Sequence, residues 1–62
     1  MNHAKIIANT LEVSTSAVRQ FHPRGYTVYG DRLYANIPQL KNLGYVIHEA
    51  EAPNKLYVEV TN

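Results

Sequence analysis

The sequence predicts a small α+β domain of order ααββαββ, a single domain spanning residues 1–62. Three observations lead there. Ile7, Ala8 and Leu11 fall on one side of a helix, and Val18 and Phe21 repeat helical spacing after a polar break. Tyr26–Tyr29 and Arg32–Ile37 are β-rich runs on either side of Gly30-Asp31, a pair suited to a tight hairpin turn. The runs YVIHE and LYVEV then flank AEAPN, which reads as a second hairpin.

Taken in order, the first helix covers about Ala4 to Leu11, with Ala8 small enough to let a neighbouring element approach closely. A strand over Lys5 to Val13 is the weaker alternative, because Ile6 and Ile7 are adjacent and break alternation. Ser14 stands where an N-cap belongs, so the second helix is expected over 14–21. It must end at FHPRG, where Pro23 pushes His22 out of the α region. The first hairpin, 26–35, gathers Tyr26, Val28, Leu33 and Ala35 on one face and Thr27, Tyr29, Arg32 and Tyr34 on the other. Asn36 to Leu43 reads as a two-turn helix, with Pro38 in its first turn, Gly44 as its stop and Ile37, Leu40 and Leu43 as its buried stripe. For the last hairpin, a four-residue loop from Ala50 to Pro53 separates Tyr45, Ile47, Leu56 and Val58 from Val46, His48, Tyr57 and Glu59.

A chain of 62 residues is near the size at which one core is only marginally sufficient, so a homodimer or cooperative oligomer is expected. It has no cysteine, which excludes disulfides and thiolate metal sites and suits a reducing cytoplasm. Neither a membrane-spanning run nor the layout of a signal peptide is present, so a cytoplasmic protein without a membrane partner is expected. The net charge is +1, but residues 1–44 carry five cationic against two acidic side chains, while residues 45–62 carry one cation against three acids. A nucleic-acid partner would therefore meet the first part of the chain.

The stretch IANTLEVSTSAVRQF resembles the helix-turn-helix of bacterial and phage DNA-binding proteins. Ile7, Ala8 and Leu11 match the packing positions of the first helix, Val13 the apolar turn residue, and Val18 and Phe21 the inner face of the recognition helix. It departs at Glu12, where that family usually has glycine in a left-handed conformation. With the hairpin that follows and the helix containing LKNLG, residues 4–44 look like the winged arrangement of MerR-type regulators and phage excisionases. A second alignment, taking LKNLGYVI and the last hairpin as recognition helix and wing, would bury Pro38 inside a helix at about 3 kcal/mol.

The resemblance implies a small winged helix-turn-helix protein that binds duplex DNA sequence-specifically, as a transcriptional regulator or excisionase-like architectural factor. Helix 14–21 would enter the major groove and hairpin 26–35 would serve as the wing. Ser14, Thr15, Ser16, Arg19 and Gln20 would then face DNA, Arg19 suited to guanine and Gln20 to adenine, while Arg24 and Arg32 would hold phosphates. The competing expectation is a protein-binding inhibitor or antitoxin-like module acting on a host protein, motivated by five tyrosines, four of them on the proposed hairpins. His3, His22 and His48 are 19 and 26 residues apart and have no companion ligands, so neither a metal nor another cofactor is expected. No nucleophile elbow, phosphate loop or spaced carboxylate pair supports an enzyme.

Overall fold

The first helix is where the apolar spacing puts it. In the computed structural model, which describes residues 2–49 and 54–61, α1 is His3–Leu11. Asn2 caps it, its side-chain oxygen accepting from the Lys5 amide at 3.1 Å, and Ile7, Ala8 and Leu11 are buried. The helix closes on Glu12, which is left-handed at φ 59°, and the Val13 amide donates back to the Ala8 carbonyl at 3.0 Å. Glu12 thus adopts the conformation for which glycine is the usual residue.

The expected recognition helix over 14–21 is not formed. Thr15–Ala17 is a single 3₁₀ turn, Ser14 makes no side-chain cap, and Val18–His22 is strand β1. An isolated eight-residue helix has little stability of its own, whereas a strand gains a hydrogen-bonded partner here. That partner is β2, Gly25–Tyr29, with Val18 opposite Val28, Arg19 opposite Thr27 and Gln20 opposite Tyr26. Alternation then sends Val18 into the core and leaves Phe21 64% exposed, although a helix would have turned both inward. A bulge between Gln20 and His22 leads into the Pro23-Arg24 turn.

The expected hairpin over 26–35 is also replaced. Gly30 does not have positive φ, so Gly30-Asp31 does not form the reversing turn, and Leu33–Asn36 is a 3₁₀ turn instead of a returning strand. A side chain at Gly30 would meet Leu33 at 3.1 Å and Val13 at 3.2 Å, so the glycine serves close packing. Leu33 is fully buried beneath it.

Helix α2, Ile37–Asn42, has Pro38 in its first turn and Gly44 at φ 99° beyond its end, as expected. Leu40 is buried and Ile37 packs against the core, but Leu43 is 57% exposed because it stands at the C-cap, rotated off the buried stripe. Strands β3, Val46–Glu49, and β4, Lys55–Glu59, pair antiparallel with Ile47 opposite Val58 and His48 opposite Tyr57. The Ala50–Pro53 loop lies outside the described residues. The pairing of Glu49 with Leu56 is two residues from the register such a loop implies, and a shift of two keeps every side chain on its expected face.

The result is the order αββαββ, with a four-stranded antiparallel sheet in the order β1-β2-β4-β3. Ile7, Leu11 and Leu40 from the helices pack with Val18, Val28, Leu56 and Val58 from one sheet face. Among the described residues no helix is long and apolar enough to cross a membrane.

Candidate binding face

Both helices contribute to the core on one side of the sheet, so the opposite side has no covering element among the described residues. The register fixes what it displays. One transverse row reads Arg19, Thr27, Tyr57 and His48 across β1, β2, β4 and β3. The neighbouring row pairs Tyr29 with Lys55, and on the other side Gly25 lies opposite Glu59, which in turn lies opposite Val46. Phe21, between Arg19 and the turn, belongs to the same face and meets Tyr57 edge to face, with ring centroids 6.0 Å apart.

Gly25 makes this arrangement possible. A Cβ there would lie 2.8 Å from the Phe21 ring, so the missing side chain leaves the space over which the ring rests. Phe21, Tyr57 and Gly25 border a mostly apolar groove of about 260 Å³, completed by His22, Arg24, His48, Val58 and Glu59. The groove is a strip of hydrophobic surface with a guanidinium at its edge.

Charge on this face is unevenly matched. Lys55 Nζ sits 5.3 Å from the Tyr57 ring centroid and 5.7 Å from that of Tyr29, a cation held over two aromatic faces. Hydrogen bonding to the Tyr57 side chain, followed by the charges of Tyr57 and Tyr29, raises the Lys55 pKa above its ordinary value. His48 Nε2 lies 2.9 Å from Glu59 Oε1, so the one carboxylate of the groove already has a partner. Among the described residues of this face, Arg19, Arg24 and Lys55 stand against that acid.

The residues expected to contact DNA divide into separate groups. Arg19 lies on the open face and Arg24 borders its groove. Gln20 pairs opposite Tyr26, and its side-chain amide donates to the Pro23 carbonyl at 3.3 Å, bracing the turn. Ser14, Thr15 and Ser16 are exposed in the 3₁₀ turn, with the Ser14 and Ser16 hydroxyls 2.9 Å apart. Arg32 follows the far end of β2 and lines a different cavity, with Leu11, Glu12, Val13, Asp31, Ala35 and Asn36. Of the two expected outward sets, Thr27 and Tyr29 of the first share one face with Val46, His48, Tyr57 and Glu59 of the second, whereas Arg32 and Tyr34 lie beyond the end of β2, at and within the second 3₁₀ turn. Phe21 and Lys55 were missed. The alternation in VRQF, followed by the reversing tetrad HPRG, is the signal that identifies Phe21 as outward-facing.

Among the described residues, no group of three or more His, Asp or Glu side chains is placed to hold a metal ion. Comparison with protein-family models, with curated proteins and with solved structures finds no match to this chain.

Proposed function

We propose that the protein is a small nucleic-acid-binding module without catalytic activity, and that the uncovered face of its sheet is the binding surface. The observation that carries this reading is the combination on that face of exposed Phe21 and Tyr29 with Arg19, Arg24 and Lys55. Aromatic rings offer stacking surfaces and the cations offer partners for phosphates, the two contributions on which sheet-based nucleic-acid binding depends. Entry of a recognition helix into a major groove forms no part of the proposal, because residues 14–21 are a turn and a strand.

A salt titration of binding to a labelled oligonucleotide tests it. With up to three cations meeting phosphates, log K should fall against log salt with a slope of about −2 to −3. Arg24→Ala should reduce that slope by about 0.7 to 0.9 and weaken all sequences alike. Absence of binding at low ionic strength removes the reading. A protein partner on the same face is the second reading, favoured by the exposed apolar area of Phe21, Tyr29 and Val46. It is distinguished by binding that persists at high salt and is insensitive to Arg24.

A further inference from the structure

The geometry points to a single-stranded ligand: we infer that one unpaired base stacks in the Phe21–Gly25–Tyr57 groove while the adjoining phosphates meet Arg19, Arg24 and Lys55. This rests on the nucleic-acid reading above and specifies the state of the strand. Duplex DNA presents its phosphates outward and keeps its bases stacked on one another, so it has no free base for an apolar groove. A single strand offers both the ring and the backbone.

Four features of the face fit that chemistry. The groove is lined mainly by apolar surface, and its volume of about 260 Å³ accommodates one planar ring. Phe21 and Tyr57 are nearly perpendicular, at 72°, so a base laid flat on one ring meets the edge of the other. Charge complements phosphate, because among the described residues of the face Arg19, Arg24 and Lys55 outnumber Glu59, whose carboxylate is held by His48. The cations bracket the groove: Arg19 is opposite Thr27 on β1 and β2, Arg24 is in the β1–β2 turn, and Lys55 on β4 reaches over the Tyr29 and Tyr57 rings. A backbone running across the strands passes from one cation to the next as its bases turn toward the sheet.

Gly25 is a positioning residue in this scheme. Because the ideal Cβ would approach Phe21 Cζ to 2.8 Å, Gly25→Ala turns the ring away from the groove floor, and the displaced atom is the far end of an exposed side chain. The added Cβ would also lie 3.2 Å from His22 Cβ, so the paired β1 backbone must give by a few tenths of an ångström.

The test uses the full chain and three fluorescently labelled probes: a ten-nucleotide single-stranded DNA, the matching RNA, and a blunt duplex of the same sequence. Anisotropy should show at least one single-stranded probe bound about tenfold or more tighter than the duplex. Phe21→Ala should weaken single-strand binding about 5- to 100-fold, the range expected for loss of one base–aromatic stack, and Phe21→Trp should restore it. Gly25→Ala should weaken it in the same direction, while Lys41→Ala, on α2, leaves it unchanged. Circular dichroism spectra and denaturation midpoints of the variants separate loss of binding from loss of fold. A DNA or an RNA preference both support the inference and identify the source of the strand. Equal affinity for duplex and single strands with no effect of Phe21→Ala overturns it while leaving the nucleic-acid reading in place. No binding of any probe at low salt overturns both and leaves the face to a protein partner.

Discussion

Glu12 holds the left-handed bend that closes α1, at φ 59° and ψ 44°, and its carboxylate accepts a 2.9 Å hydrogen bond from the exposed Asn36 amide. The bend costs a non-glycine residue about 1 kcal/mol, and an exposed hydrogen bond offsets little of that. Glu12→Gly should therefore raise the unfolding free energy by up to about 1 kcal/mol, whereas β-branched Glu12→Val should lower it; chemical denaturation reads both. Leu33 and Phe21 make the opposite contrast. Leu33 is fully buried, so Leu33→Ala should cost about 2 to 5 kcal/mol, while exposed Phe21→Ala should stay within about 0.5 kcal/mol. Tyr45 adds a dependence on pH. Its hydroxyl lies 2.9 Å from His3 Nδ1, and burial first, then the charge of Tyr26, raises its pKa above 10.0. A phenol with a raised folded-state pKa contributes stability that is complete below the unfolded value and is lost as pH rises through the folded one. Alkaline titration above pH 10.0 should show a shallower decline for Tyr45→Phe than for the parent chain.

At the scale of elements, what the sequence disclosed depended on whether its periodicity was unique. In α1, Ile7, Ala8 and Leu11 fit a helix, and the adjacent Ile6 and Ile7 break alternation, so the strand alternative over Lys5 to Val13 was the weaker one. Pro38 and Gly44 bracketed α2 by backbone restriction, which does not depend on neighbours. The faces of β3 and β4 survived a register displaced by two because side-chain direction repeats every two residues. Val18 and Phe21, three apart, satisfied both a helical stripe and a strand with one residue in and one out, and only the pairing with β2 decided between them. Gly30-Asp31 looked like a reversal because glycine permits one, but its role is to bring Val13 and Leu33 close. The open face followed the same division: Val46 and His48 of β3 and Tyr57 and Glu59 of β4 were legible, while Phe21 depended on the unrecognised strand and Lys55 on the β2–β4 pairing. Substitution at Gln20 measures that strand in solution. Gln20→Val should be neutral or stabilising by up to about 1 kcal/mol in β1, where a helix would have lost stability, and cross-strand NOEs between Arg19 and Thr27 should be present.

Across the whole molecule, charge asymmetry read from the sequence was a weak guide until the sheet assembled it. Arg24 and Arg32, eight positions apart, flank the two ends of β2 and line different cavities. Lys55, from the acidic end of the chain, joins Arg19 on the open face through the β2–β4 pairing. That pairing also makes the strand order read alike from either edge: each half of the chain supplies a helix and a hairpin, with its first strand outside and its second inside. Among the described residues, the twelve buried apolar side chains divide evenly, six up to Val28 and six from Leu33 onward. Neither half can close its hydrophobic surface alone, and the central pairing joins residues as far apart as Gly25 and Glu59. Folding must therefore bring two distant αββ units together across their second strands, a slow step for so short a chain. Peptides 1–30 and 31–62 should each be unstructured alone and should recover the parent circular dichroism spectrum when mixed, making the protein a heterodimer of its own halves joined by one covalent connection.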